Sequence, residues 1–336
     1  MNDKEEALYE ITEGTENPYG EPLKFHVPLK VVGLLVLVAV LYVICMFQFP
    51  KVLKDYQVYI MAEERLAKGE TSSAIGDLSE LAEKYPRSSE IMVELVDLSM
   101  KVGYYDTAAA TIDNHLVGEK LGKEDYDKIT RYTEQLERFY RSYDAVQKIV
   151  EASPSQNPAD EAARKGMKKQ LIQLLDQTDL DQAYLYYTLG AIEPDATTAR
   201  DYLQKCYAID PEQGDVRVRL SIMNRKLDDM QQASRYGQEA LHKDKRDTGA
   251  LRALSTISLV EGDLPQGLQY AEEAYRINPE GIYIRDTYAV ALYANGKLQE
   301  AQEIKKELES SGQPLDESIT RFLNGEMTLR DYYVGK

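Results

Sequence analysis

The chain of 336 residues has no tryptophan, two cysteines and three histidines. Two thiols cannot build a disulfide framework. Cys45, Cys206, His26, His115 and His242 show no ligand spacing for a metal. No metal and no cofactor is expected. A phosphate-cradling glycine loop, a dinucleotide fingerprint, HExxH and GxSxG are all missing, so the chain is not expected to be an enzyme and no small-molecule substrate is evident. Abundant carboxylates on helices read as solvated faces, not as acid–base pairs. Positive charge is in short supply, with 40 basic against 57 acidic residues and a net charge of −17. Such a surface repels phosphate backbones and argues against nucleic-acid binding. Only 20 glycines and 12 prolines exclude collagen-like and low-complexity chains. A composition 43% hydrophobic and 29% charged excludes a largely disordered one. Tyrosine, at 25 residues, carries the aromatic packing.

Residues 31–50, VVGLLVLVAVLYVICMFQFP, hold no charge. At about 1.5 Å per residue, about 20 residues cross a hydrocarbon core of about 30 Å. Lys30 and Lys51 bracket the run, and Phe25, Tyr42, Phe47 and Phe49 cluster toward its ends as interfacial anchors do. A helix apolar on every face for this length predicts a transmembrane helix, not a buried core helix. Residues 1–30 form an acidic tail in which Asp3, Glu5, Glu6, Glu10, Glu13, Glu16 and Glu21 face three lysines, unlike the basic start of a secretory signal. Cys45 follows Ile44 where bacterial lipoprotein signals resemble one another in a small residue, so it reads as apolar filler. Lys51, Lys54, Arg65 and Lys68 lean toward a cytoplasmic C-terminal region. N-terminal anchors often export the domain on their C-terminal side, so the face stays open. The expected location is single-pass in a bacterial plasma membrane, side undetermined. Pro50 is expected to separate the span from a helix beginning near Val52, which leaves the first repeat close to the bilayer. Asn17-Pro18-Tyr19-Gly20 reads as a turn.

The rest of the chain repeats. Gly69 and Gly103 lie 34 residues apart, as do Gly262 and Gly296, and Asp228 and Pro194 fall in the same phase. Tyr140 is the looser third marker. Five residues after the markers come Ala74, Ala108, Ala145, Ala199, Ala233, Gly267 and Ala301, small wherever two helices would pack tightly. Pro86, Pro211 and Pro279 lie seventeen residues past three of the markers and stop a second helix. The runs DTYAVALYANGKLQEA (Asp286 to Ala301) and AEEAYRINP (Ala271 to Pro279) carry the pattern furthest. In these features the chain resembles the tetratricopeptide repeat family. That resemblance implies an all-α fold, a right-handed superhelical solenoid of helix pairs, here preceded by one transmembrane helix. Residues 51–315 would form the repeats, with an extra helix at about 159–178. Residues 316–336 would form a capping helix and tail. Cys206 falls at a core-facing phase and reads as a small buried hydrophobe.

The resemblance also implies a concave groove lined by the first helix of each pair, which takes an extended peptide or a helix. That face maps onto Val218, Ile222 and Arg225, then Arg252, Thr256 and Leu259, then Tyr283, Asp286, Val290 and Tyr293. Spacings of three and four place each set on one stripe. Arginine and tyrosine are the types enriched at interface hot spots. Two readings of each residue stand side by side: groove, or packing against the next repeat. An arginine pair on an acidic chain favours a protein or peptide partner with acidic groups. The Lys/Asn/Arg clamp that grips chaperone C-termini in part of the family is not matched, since Val218 and Ile222 stand where it needs polar residues. The expected function is a non-enzymatic, membrane-anchored scaffold or adaptor. The alternatives are an extracytoplasmic chaperone or translocon accessory and, from another class, a regulatory subunit of a membrane enzyme.

Overall fold

A computed structural model of the chain describes residues 29–155, 160–310 and 317–335. Most of the acidic tail, including the turn at residues 17–20, Phe25 and His26, lies outside the described residues. The chain divides into two units, Met1–Tyr56 and Gln57–Lys336. Helix α1, Leu29–Ala67, belongs to both.

In the first unit, the stretch Lys30–Phe47 is long and apolar enough to cross a membrane. Its large side chains, from Val31 to Phe47, are exposed on every face. The helix continues through residue 50, so Pro50 does not separate two helices as expected. A proline removes one backbone hydrogen bond, which bends or weakens a helix without having to end it. The flanking runs LYVICMFQF and KVLKDYQV hold no glycine to help it stop.

The second unit is all-α. Its helices are α2 (Thr71–Lys84), α3 (Ser89–Val102), α4 (Tyr105–Thr111, extended by a π-helical turn Ile112–Leu116), α5 (Lys123–Glu151), α6 (Glu161–Leu174), α7 (Gln182–Ile192) and α8 (Ala196–Ile209). Next come α9 (Val216–Lys226), α10 (Met230–Lys243), α11 (Thr248–Glu261), α12 (Leu264–Ile277), α13 (Ile282–Ala294), α14 (Leu298–Ser310), α15 (Glu317–Leu323) and α16 (Leu329–Val334). Successive helices pack in pairs: α3 on α4, α7 on α8, α9 on α10, α11 on α12, α13 on α14. The end of α1 supplies Ala62 to the same core as Ala74 and Leu78 of α2.

The sequence markers explain the pairing. Gly69, Gly103, Gly262 and Gly296 all take positive φ, and Asp228 is the one described non-glycine residue that does. This left-handed turn reverses the chain after each first helix. Five residues on, Ala74, Ala108, Ala199, Ala233 and Ala301 are wholly covered, and Gly267 is buried. In two pairs the first helix also donates a hydroxyl there: Ser221 Oγ to the Ala233 carbonyl at 2.7 Å and Ser255 Oγ to the Gly267 carbonyl at 2.8 Å. Asp195, Asp229, Asp247 and Asp263 accept from backbone N–H groups and cap the helices they precede. Tyrosines bind acids about one repeat away: Tyr132 Oη donates to Asp97 at 2.6 Å, Tyr140 to Asp106 at 2.7 Å and Tyr207 to Glu239 at 2.9 Å. Pro86, Pro211 and Pro279 stand two residues past the ends of α2, α8 and α12.

The third pair departs from expectation. No turn forms at Tyr140. Helix α5 runs unbroken for 29 residues, because Lys123–Glu151 contains neither glycine nor proline. Ala145 is accordingly only half-buried. Side chains from α5, α6 and α7 share one apolar cluster: Val146, Ile149, Leu171, Leu185 and Leu189, with Leu180 from the turn before α7. Cys206 lies sealed among Ala183, Leu203 and Leu220. Burial, with Asp210 and Asp181 adding to it, pushes its thiol up to about 12, as suits an inert filler.

A simple solenoid joins only neighbouring repeats. Here the turns after α1 and α3 also meet loops far along the chain. The Lys245 N–H donates to the Gly69 carbonyl at 2.7 Å, Lys243 Nζ to the Val102 carbonyl at 2.8 Å, and Tyr105 Oη to Asp210 at 2.5 Å. Lys243 also pairs with Glu212. A Cβ on Gly103 would meet the Glu212 carbonyl oxygen at 2.4 Å. Gly103 is thus required twice, by its φ of 81° and by this seam.

Two stability measurements probe the register and the seam. Ala301→Leu overpacks a closed site and should cost about 1–3 kcal/mol in denaturant unfolding, whereas Ala145→Leu should stay within about 0.5 kcal/mol. Equal costs would refute the register. Gly296→Ala meets no atom within 4 Å and should cost only the left-handed strain of about 1–2 kcal/mol. Gly103→Ala should lose a further 1–3 kcal/mol or so through the seam, and equal losses would show that the seam does not hold in solution.

Candidate peptide-binding groove

The stripe drawn from the sequence lies on α9, α11 and α13, and its members fall into two groups. Val218, Thr256, Leu259 and Val290 are buried. Val218 packs with Ala240 and Ala250. Thr256 Oγ1 donates to the Ala253 carbonyl at 2.8 Å, and Leu259 and Val290 share the C-terminal core. Ile222 is half-buried against the Val218 cluster. Tyr293 packs edge-on to Phe322 of α15, with ring centroids 5.4 Å apart.

Arg252, Tyr283 and Asp286 make polar or open surface, and Arg225 is a buried cation beside them. Tyr283 is 71% exposed, and the Arg252 guanidinium lies over its ring at 5.6 Å. Arg225 is only 7% exposed. Burial pulls its guanidinium down to about 10, and nearby Arg252 adds to the effect. Among the described residues neither arginine pairs with a carboxylate. Asp228 and Asp286 are bound by Arg330 and Tyr332.

The chain's own end fills the space. Helix α16 packs on α9, α11 and α15. Arg225 Nη1 donates to the Tyr333 carbonyl, and its guanidinium lies 5.3 Å from the Tyr333 ring centre. Tyr332 Oη donates to Asp286 at 2.6 Å. Arg330 Nη2 donates to both carboxylate oxygens of Asp228. The helix is capped at both ends. The Thr328 N–H donates to the Asp331 carboxylate at 2.9 Å, the Asp331 N–H returns to Thr328 Oγ1 at 3.1 Å, and Gly335 closes it at φ 73°. The signal T-x-x-D with a glycine after it is legible in TLRDYYVGK as a capping box with a C-terminal glycine. It marks a helix, but not the surface on which that helix docks.

A second feature of the sequence orients the stripe and is recognisable only with the structure in hand. Pro211-Glu212 and Pro279-Glu280 each precede an arginine that lies six residues after the proline, two repeats apart. Arg217 donates to the Pro211 carbonyl at 2.6 Å and to Glu212 at 2.7 Å. Arg285 repeats both contacts with Pro279 and Glu280. These forks fix the start of α9 and α13. They also show which arginines are structural and so set Arg225 and Arg252 apart.

The turns of positive φ, the closed small sites and the paired helices recur in one phase. The architecture is that of the tetratricopeptide repeat. Among solved structures, the chain is similar to the crystal structure of MamA at 18% identity, covering 45% of this chain and 89% of that one with a TM-score of 0.38. It is similar also to a tetratricopeptide repeat protein from Parabacteroides merdae at 13% identity, covering 82% and 98% with a TM-score of 0.41. No protein-family model and no curated protein sequence matches it. The assignment therefore rests on the chain's own helix pairs.

The two groups within the stripe should separate by experiment. Tyr293→Ala removes an aromatic pair and should lower stability by about 1–3 kcal/mol. Tyr283→Ala should leave the melt within about 0.5 kcal/mol. A Tyr283→Ala loss as large as that of Tyr293→Ala would mean that Tyr283 is packed, not open.

Proposed function

We propose that the chain is a non-enzymatic scaffold, anchored in a membrane by residues 31–50, which holds a protein or peptide partner on the face formed by α9, α11 and α13. One observation carries the reading: that face already accommodates a peptide helix, the chain's own α16, which is bound by Arg225 of α9 and Asp286 of α13 and packs on α11. A surface that holds Leu329–Val334 by a backbone carbonyl, two tyrosines and an arginine has the means to hold a similar segment from another protein. Arg252 and Tyr283 lie on the same face as the arginine and aromatic types favoured at hot spots, and they point to a partner with acidic groups. The apolar helix supplies the tether. Confinement at a bilayer raises the effective concentration of any partner in the same membrane, so a modest groove suffices. A bacterial plasma membrane is the proposed site, on either face.

Membrane sedimentation and photocrosslinking test the two parts separately. The full chain should stay with membranes through high salt and alkaline carbonate, and release by salt alone would rule out an integral anchor. A photocrosslinking residue in place of Tyr283 should yield adducts with a membrane-derived protein, whereas the same residue in place of exposed Gln299 on α14 should not. Adducts from Gln299 alone would move the binding face to the other side of the repeats.

A further inference from the structure

The contact between α16 and its groove is incomplete. Six residues are too few to hold a helix in water without support, so α16 persists by docking. Of its side chains only Val334 is buried, while Leu329, Tyr332 and Tyr333 are half-covered, with the Tyr333 hydroxyl sealed from water. Arg330, which binds Asp228, stays half in solvent. Beneath the helix, Arg225 Nε is sealed from water without a hydrogen-bond partner. The Arg225 guanidinium meets a neutral carbonyl and a ring where its chemistry calls for a carboxylate. The helix has one acid of its own, Asp331, but its cap with Thr328 engages it. The docked tail therefore desolvates a cation without neutralising it. Such a mismatch weakens the resident helix and rewards any ligand that corrects it.

We propose that α16 is a displaceable internal ligand of the α9–α11–α13 groove, and that its competitor is a peptide with an acidic side chain next to an aromatic one. This rests on the groove reading above. The aromatic residue takes the place of Tyr332 beside Asp286. The carboxylate reaches Arg225 and Arg252, and Arg252 lies close enough to lower the affinity of Arg225 for a proton. Half-buried Arg252 and exposed Tyr283 offer the first foothold while the tail is still docked, and Arg225 becomes available as the tail leaves. Binding is then weakened by the fraction of molecules whose groove is closed. The partner gains access without unfolding any repeat, because the helices of α9–α10, α11–α12 and α13–α14 pack directly on each other.

The test uses two labelled synthetic peptides: residues 326–336 of this chain, and the same segment with Tyr333→Glu. Each is titrated against the full chain and against a full chain with Tyr332→Ala and Tyr333→Ala. The tail-weakened chain should bind the first peptide at least 10-fold more tightly than the unaltered chain does. It should prefer the Tyr333→Glu peptide by a further 10-fold, and Arg225→Gln in the same background should abolish that preference. Equal binding by both chains, or no binding by a tail-weakened chain with a normal melt, overturns the latch. Absence of a Tyr333→Glu preference overturns the acidic ligand. Should the double variant fail to fold, Arg330→Ala serves, since its half-exposed side chain acts through the Asp228 contact, and it should raise peptide binding at least 3-fold. Hydrogen exchange on the unaltered chain gives an independent reading. Amides of 329–334 should exchange at least 100-fold faster than those of α11, and equal protection refutes displacement. Peptide binding in trans without Tyr283 adducts would keep the latch and remove the partner. Tyr283 adducts without peptide binding would do the reverse.

Discussion

At Ala74, Ala108, Ala199, Ala233, Gly267 and Ala301 the second helix of a pair comes so close to the first that only a methyl group or a hydrogen fits. A Cβ on Gly267 would stand 2.7 Å from the Leu259 side chain and 3.2 Å from the Ser255 carbonyl. This approach sets the register of each pair and so the direction in which every other side chain points. Arg225 follows Ser221 by four residues and Arg252 precedes Ser255 by three, so both emerge beside the serine contact, on the flank of the face that packs on α10 and α12. The proposed binding face thus borders the packing contact, which is why it mixes buried residues such as Leu259 with open ones such as Tyr283.

The acidic balance of the chain has a structural outlet in the same geometry. Part of the surplus serves helix ends, where Asp195, Asp229, Asp247 and Asp263 satisfy N–H groups that no helix can satisfy internally. Another part accepts tyrosine hydroxyls from the adjoining repeat. These bonds tie repeat to repeat without the cost of burying paired charges. Their effect shows at Tyr132, whose hydroxyl is pushed up to about 12 by burial and by Asp97. A chain rich in both tyrosine and carboxylate is therefore using one kind of bond many times over.

Legibility tracks locality. The turn markers are readable because a left-handed residue and a small one recur at fixed distance, and phase alone places even Asp228, which takes a positive φ. The extra helix in the 159–178 stretch announces itself as surplus length, and α6 occupies Glu161–Leu174. The false turn at Tyr140 comes from extending the period where no glycine or proline supports it. Pro50 misleads in the opposite direction, since a proline with no second breaker beside it does not end α1. The seam is not readable at all. Its partners, Gly69 with Lys245 and Gly103 with Glu212, are more than a hundred residues apart and share no periodic signal. The tail lies between these cases. Its capping box is visible in the sequence, but its docking depends on a face that only the folded repeats define.

Arg225 is subject to all of these constraints at once. Other arginines at the starts of first helices, Arg217 and Arg285, are held by a proline carbonyl and a glutamate within six residues, so local sequence satisfies them. Arg225 sits at the other end of its helix, where Asp228 already serves the turn and Arg330. Its position at a helix C-terminus favours positive charge, which helps to retain the cation despite burial. Hydrophobic packing would be served better by leucine or methionine at that place, and surface solubility by exposure. A buried guanidinium answered only by a carbonyl and a ring fits neither purpose. Among the described residues of this face, Arg225 is a cation that is buried and pairs with no carboxylate. A covering that can move gives that charge a use, whereas a permanent one would leave it a net cost to the fold.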